Sequence, residues 1–203
     1  AVLKASIAVL VSGGGTNLQA LLDAQACGVL KSGVIRLVIA DKPGIGAIAR
    51  AQAAGVTCAV IPRREEGFEA RVLEALEQHH IDMAVLAGFL GILSGEAIRQ
   101  FGKPILNVHP SLIPAFCGKG FYGLKVHQAA LDYGVKVTGA TVHYVNEVPD
   151  GGEILLQRAV DVLPGDTPEA LQRRVMEQAE WILLPQAAEL VAAQIVREKE
   201  NTL

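Results

Sequence analysis

Short apolar runs that alternate with helical segments constrain this fold more than any other feature of the chain. Five of these runs are predicted as strands, at Ile7–Val11, Val34–Ala40, Val56–Ile61, Asp82–Gly88 and Lys103–Val108. An uninterrupted apolar strand is buried on both faces, which is typical of a parallel sheet covered by helices on both sides. Two later runs, over 135–145 and 153–162, have no helix between them and therefore predict an antiparallel pair.

We therefore predict an α/β fold with a single doubly wound, mostly parallel sheet, an antiparallel edge and a long C-terminal helix. The helix begins where Thr167 can cap it ahead of Pro168, and it meets Pro185 before resuming to about Val196. The chain has 203 residues and no low-complexity linker, so residues 1–203 are expected to form a single domain.

Composition favours small molecules as the partners. The net charge is −3 without a basic block and only 4% of residues are aromatic, which argues against nucleic acid or a membrane surface as partner. No apolar run approaches the roughly 18 residues that span a bilayer. The three cysteines are far apart and no cluster has metal-ligand spacing, so we expect reduced thiols and no metal. We expect a soluble, cytoplasmic protein that is a monomer or a homodimer.

A glycine-rich turn follows the first strand and leads into a helix. This layout presents backbone N–H groups to a phosphate, and glycines let an anion approach the backbone closely. The candidate phosphate-binding residues are Gly13, Gly14, Gly15, Thr16 and Asn17. One alternative is a tight turn without a ligand. The other is a dinucleotide site with Asp41 as the ribose-binding acid, although Leu18 replaces the third glycine of that fingerprint.

The end of the fifth strand carries two polar residues in an apolar run. Asn107 and His109 lie on the same side of the strand because side chains alternate with a period of two, and Pro110 then ends the regular structure. An amide and an imidazole side by side can both donate hydrogen bonds to an oxyanion. The alternative is a solvated Asn and a structural His. On a later strand, His143 is expected to be a satisfied sheet histidine rather than a catalyst.

Two loops complete the set of candidate site segments. The apolar loop after the fourth strand comprises Phe89, Leu90, Gly91, Ile92 and Leu93. It suits a flat aromatic ligand at the carboxyl edge of the sheet, and ordinary core packing is the alternative. Asp150 stands between a proline and two glycines in a sharply turned loop, where a generic turn aspartate is the alternative.

Taken together and in this order, the motifs resemble the phosphoribosylglycinamide formyltransferases of the folate-dependent formyltransferase superfamily, which have a Rossmann-like fold. The resemblance runs from Ile7 to about Val196. It rests on S-G-x-G-[ST]-N at 12–17, A-G-F-x-x-I-L at 87–93, N-x-H-P-S-L-x-P at 107–114, T-V-H-[FY]-V at 141–145, x-D-x-G at 149–152 and G-D-T at 165–167.

The resemblance implies a function and a set of site residues. A formyl group would pass from the cosubstrate N10-formyltetrahydrofolate to the amine of glycinamide ribonucleotide in de novo purine synthesis. The implied catalytic residues are Asn107, His109 and Asp150. The implied ribonucleotide contacts are Gly13, Gly14, Gly15, Thr16, Asn17, Pro110 and Glu180. The implied folate contacts are Phe89, Leu90, Gly91, Ile92, Leu93, Asn107, Glu147, Val148 and Asp150.

Two positions qualify these assignments. Glu177 is a second candidate for the ribose-side contact, because the helix is one residue longer than in relatives when counted from Thr167. Relatives commonly carry Arg where this chain has Gly91, so only backbone contacts to folate are expected at that position.

The expected mechanism is direct attack of the amine on the formyl carbon. Asn107 and protonated His109 would stabilise the oxyanion, and Asp150 would orient His109 and favour its charged form. A formyl-folate hydrolase is one alternative, although such enzymes usually have H-H-S where this chain has H-P-S. A non-catalytic nucleotide-binding module is another, and it leaves these three residues unexplained. A methionyl-tRNA formyltransferase would need a further basic domain.

Overall fold

Helices cover both faces of one seven-stranded sheet in the computed structural model, which describes residues 2–202. The strands are β1 (Ala5–Val11), β2 (Gly33–Ala40), β3 (Thr57–Val60), β4 (Met83–Leu86), β5 (Ile105–His109), β6 (Val137–Tyr144) and β7 (Ile154–Asp161). The helices are α1 (Thr16–Cys27), α2 (Gly46–Ala53), α3 (Phe68–Gln78), α4 (Gly95–Phe101), α5 (Leu124–Tyr133), α6 (Pro168–Val175) and α7 (Trp181–Glu200). A π-helical turn, Met176–Glu180, joins α6 to α7.

The strand order places the ends of β1 and β4 at the centre of the molecule. The order is β3-β2-β1-β4-β5-β6-β7, with the first five strands parallel and with β6 and β7 antiparallel. The predicted doubly wound sheet with an antiparallel edge is therefore confirmed. The chain leaves β1 in one direction and returns to β4 on its other side, so a crevice opens at their carboxyl ends.

Burial on both sheet faces explains the continuous apolar runs. In β1, Ile7, Val9 and Val11 belong to the core beneath α1, α2, α5, α6 and α7, whereas Ala8 and Leu10 belong to the core beneath α3 and α4. Full burial of a large aliphatic side chain contributes about 1.5–3 kcal/mol. Neither face of β1 could therefore become polar without a large loss of stability.

The C-terminal helix differs from its predicted form. Thr167 Oγ1 accepts a hydrogen bond from the Ala170 N–H at 3.1 Å, so the predicted cap is present. The predicted interruption at Pro185 is wrong, because Pro185 lies inside α7 and the irregularity is the π-helical turn before it. Pro185 has no backbone N–H, so one helical hydrogen bond is missing. The missing bond lies close to the point where π-helical i→i−5 hydrogen bonds give way to α-helical i→i−4 hydrogen bonds. Among the helices of residues 2–202, none is long and apolar enough to cross a membrane.

Candidate active site

A cleft of about 310 Å³ opens at the carboxyl ends of β1, β4 and β5. It is lined by Gly13–Asn17, Ala87–Leu90, Asn107–Pro110, Phe121–Gly123, His127, Asp150, Gln172, Met176 and Glu180. The predicted catalytic residues and the predicted phosphate turn thus share one cavity. A second groove of about 510 Å³, between α1 and α7, contains none of the three predicted catalytic residues.

His109 is buried at the end of β5, bonded through one ring nitrogen and facing a carboxylate with the other. Its Nε2 lies 2.8 Å from the Phe116 carbonyl oxygen, which can only accept, so Nε2 carries the proton of the neutral ring. Its Nδ1 lies 3.6 Å from Asp150 Oδ2. The tautomer therefore leaves Nδ1 as the nitrogen that gains a proton when the ring becomes charged, beside a carboxylate.

Asp150 is held in a turned conformation with a φ of 54°, which is uncommon for a residue other than glycine. The Gly118 N–H donates a 2.8 Å hydrogen bond to its Oδ2. Burial raises its pKa, but attraction to the His143 ring, the Gly118 hydrogen bond and the nearby His109 ring together lower the pKa below its usual value. Asp150 is therefore an anion at neutral pH.

His143 joins the site through the antiparallel edge. Its Nδ1 lies 2.9 Å from the Tyr144 carbonyl oxygen, so the neutral ring is protonated at Nδ1 and accepts at Nε2. Asn107 Nδ2 lies 3.2 Å from that Nε2, and Asp150 Oδ1 lies 3.8 Å from it. The sequence alone predicts His143 to be a satisfied sheet histidine rather than a catalyst. His143 reaches the site because it is paired with Asn107 across β5 and β6. That pairing could be found only by knowing the register between the two strands.

The glycine turn is open where a ligand can approach and tight where it meets the fold. A Cβ added to Gly13 or Gly14 would have nothing within 4 Å, whereas one added to Gly15 would lie 2.8 Å from the Ala47 backbone. Gly15 also has a φ of 80° and precedes the first residue of α1. The turn therefore exposes backbone at the amino end of a helix, where anions are stabilised.

Asp41 holds this turn rather than lining the cleft. Its Oδ2 accepts hydrogen bonds from Ser12 Oγ at 2.6 Å and from Arg63 Nη1 at 2.8 Å. Ser12 Oγ in turn accepts from the Leu90 N–H at 2.7 Å, which ties the glycine turn to the loop after β4. A dinucleotide site would need this carboxylate free to bind a ribose.

Glu180 projects into the cleft from the π-helical turn. It is only 6% exposed, and Asn17 Nδ2 donates to its Oε1 over a long 3.3 Å. Burial raises the pKa of Glu180 to about 7, although the Asn17 bond opposes that rise. Glu177, the second candidate, instead pairs with Arg173 at 2.8 Å and does not line the cleft.

The predicted folate loops are only partly in the cleft. Phe89 and Leu90 line it, whereas Gly91, Ile92, Leu93, Glu147 and Val148 do not. The Phe89 ring stacks on Phe68, 6.2 Å between centroids, so part of this loop is core packing. Ile92 is 84% exposed and Val148 is 56% exposed. Each of these exposed apolar side chains could be covered by a bound ligand.

Gly91 lies directly against the neighbouring aromatic ring. A Cβ at this position would clash with the end of the Phe89 ring, which would have to move. In this chain, the Phe89 ring fills the space that a larger residue at position 91 would need.

Over residues 2–202, no group of three or more His, Cys, Asp or Glu side chains could hold a metal ion. The three cysteines carry free thiols.

Comparisons with known proteins match the chain nearly end to end. A model of the family described as formyl transferase matches residues 5–187. The chain belongs to the formyl transferase family. It is 42% identical over 202 residues to the trifunctional purine biosynthetic protein adenosine-3 of Bos taurus, covering 98% of this chain and 19% of that protein. It is 38% identical over 180 residues to the chloroplastic phosphoribosylglycinamide formyltransferase of Arabidopsis thaliana, covering 86% of this chain and 61% of that protein.

Two solved structures match this formyl transferase chain over most of both chains. Glycinamide ribonucleotide transformylase 1 from Symbiobacterium toebii has a TM-score of 0.86 at 39% identity, covering 94% of this chain and 89% of that one. Phosphoribosylglycinamide formyltransferase from Brucella melitensis has a TM-score of 0.84 at 41% identity, covering 94% and 96%. This chain therefore spans about a fifth of the bovine protein and three fifths of the plant protein, but most of the two bacterial chains.

Proposed function

We propose that this protein transfers a formyl group from N10-formyltetrahydrofolate to the amine of glycinamide ribonucleotide. The observation that carries the proposal is the 3.6 Å approach of Asp150 Oδ2 to His109 Nδ1, beside Asn107 and an open cleft. Three polar groups from two segments, the end of β5 and the Asp150 loop, surround the place where a reacting carbonyl would sit. The names of the plant and bacterial relatives support the same substrate.

The reaction needs no nucleophile from the protein. The substrate amine attacks the formyl carbon, the carbonyl electron pair moves to oxygen, and the tetrahedral intermediate collapses by releasing N10 of the folate. Asn107 Nδ2 and protonated Nδ1 of His109 donate hydrogen bonds to the oxyanion. The amine loses one proton and N10 gains one, and Asp150 relays that proton, directly or through a water.

Hydrogen bonds around the three groups fit these roles. His143 Nε2 accepts from Asn107 Nδ2, which fixes the amide orientation while leaving its second N–H for the oxyanion. The Phe116 carbonyl holds His109 by Nε2 and so leaves Nδ1 for substrate. Donors placed before the reaction need no reorganisation in the transition state.

The two substrates would occupy different parts of the cleft. The phosphate of the ribonucleotide binds the N–H groups of the glycine turn, with Thr16 and Asn17 at the start of α1, and its ribose contacts Glu180. Pro110 borders the same path. The folate ring lies against Phe89 and Leu90, and its edges reach Ile92, Leu93 and the Glu147–Asp150 loop. In this proposal, residues 1–203 act as one formyltransferase domain.

A folate absorbance assay tests the proposal. Purified protein receives the formyl-folate with and without glycinamide ribonucleotide, and release of unformylated folate is followed. Turnover that depends on the ribonucleotide supports formyl transfer. Equal turnover without it would indicate a hydrolase, and absent turnover with retained ribonucleotide binding would indicate a binding module; either result rejects the proposal.

A further inference from the structure

Two residues that line the cleft carry buried polar atoms without a hydrogen-bond partner. Among the described side chains, buried nitrogen or oxygen atoms without a hydrogen-bond partner include Asn17 Oδ1 and both ring nitrogens of His127. Both residues line the cleft. A buried polar atom without a partner costs about 1–3 kcal/mol, so such atoms normally have a protein, water or ligand partner.

His127 lines the cleft together with His109 and Glu180. It lies near the start of α5, and its side chain is 1% exposed. α5 packs against α6, which carries Gln172 and leads into the turn that carries Glu180. The ring therefore lines the cleft from α5, next to the helix that leads to the ribose-side carboxylate.

The ring is uncharged at neutral pH. Burial, followed by the positive charge of His109, lowers the pKa of His127 to about 4. A neutral imidazole offers one donor and one acceptor. That pattern suits a hydroxyl or amide group better than a phosphate dianion, which would favour a charged ring.

We propose that His127 binds the polar middle of the amine substrate, giving one hydrogen bond to, and taking one from, its ribose hydroxyls or its amide. This inference rests on the proposed function for the identity of the substrate. It adds a binding residue to the cleft that neither the motifs nor the catalytic geometry assign.

Calorimetric titration of glycinamide ribonucleotide into His127→Phe and His127→Gln tests the inference. Phenylalanine keeps a flat ring but has no hydrogen-bonding atoms, so affinity should fall about tenfold. Glutamine keeps a donor and an acceptor and should recover most of that affinity. In turnover, the KM for the ribonucleotide should rise in His127→Phe, while kcat and the KM for the folate stay near wild type. Val126→Ala, a buried neighbour in α5, should lower the Tm and leave the affinity unchanged.

Three results would overturn the inference. Unchanged affinity in His127→Phe would mean that water satisfies the ring. If His127→Phe weakened inhibition by inorganic phosphate as much as it weakened ribonucleotide binding, the contact would lie at the phosphate. A shifted pH profile of kcat with unchanged affinity would make His127 a neighbour of His109 only. If the wild-type protein binds the ribonucleotide through His127 but does not turn over, the proposed function fails and this inference stands.

Discussion

The two ends of the cleft differ in how far their polar groups are already partnered. At the reaction end, His109, Asp150 and His143 each have a backbone hydrogen-bond partner, and Asn107 is bonded to His143. At the ribonucleotide end, defined by Asn17, His127 and Glu180, one weak 3.3 Å bond joins two residues and the third has no partner.

This difference indicates a division of labour. Groups that stabilise a transition state work best when they are fixed in advance, as those at the reaction end are. Groups that are buried without partners destabilise the free protein and regain hydrogen bonds when a ligand arrives. Substitutions at the two ends should therefore separate rate from affinity and stability.

The largest effect is expected from Asn107→Ala and Asp150→Asn at the reaction end. Loss of one oxyanion donor typically lowers rates on the order of 10²–10³, so kcat should fall by at least that factor in each variant. The unfolding midpoint in urea should stay close to wild type. Asp161→Asn, an exposed aspartate on β7, serves as the control. Near-normal turnover in either reaction-end variant would remove that residue from the catalytic set.

Glu180→Gln should stabilise the ligand-free protein above neutral pH and weaken ribonucleotide binding. The folded pKa is raised from 4.5 to about 7, so folding is favoured below pH 4.5 and that contribution is lost as pH rises towards 7. The loss amounts to about 3 kcal/mol, which the glutamine variant avoids. Urea unfolding at pH 5 and pH 8 measures it. Glu177→Gln, three residues earlier and exposed, should show no such dependence; the same pH dependence in both variants would contradict the assignment.

Gly15→Ala should destabilise the fold by about 2 kcal/mol, because it combines a positive φ with a Cβ 2.8 Å from the Ala47 backbone. Gly13→Ala meets no atom within 4 Å and should unfold like wild type while binding the ribonucleotide more weakly. Thermal unfolding and calorimetry on both variants check this pair. Unchanged ribonucleotide affinity in Gly13→Ala would mean that the turn does not bind the phosphate.

Asp41→Asn should give the smallest effect, with the opposite sign to Glu180→Gln. Asp41 is also a buried carboxylate, but Ser12 and the partly exposed Arg63 already bind its Oδ2. Removing its charge leaves Arg63 less well paired, so stability at pH 8 should fall by about 1–2 kcal/mol. A rise in the urea midpoint would show that the two buried carboxylates do not differ as described.

Local patterns in the sequence predicted the features that neighbouring residues determine. The β–α alternation, the glycine turn, the Thr167 cap and the Asn107–His109 face all follow from short-range spacing, and the structure contains each of them. α3 ends at Gln78, and His80 just beyond it adopts a φ of 49° that a helix cannot continue.

Features that depend on distant packing were not predicted. The place of His143 in the site depends on the register between β5 and β6, and the burial of His127 depends on α5 packing against α6. Asp41 accepts a hydrogen bond from Arg63, which is 22 residues away in the chain. The spacing of residues in the sequence does not reveal this contact. The extra residue counted in the last helix is accommodated by the π-helical turn, which presents Glu180 rather than Glu177 to the cleft.

The division between the two ends is tested most directly by calorimetric titration of glycinamide ribonucleotide into Asp150→Asn without folate. If the ends act separately, this variant binds the ribonucleotide within about twofold of the wild-type affinity although its turnover is lost. Absent binding to the wild-type protein, or a loss of affinity in the variant as large as its loss of rate, would contradict that division.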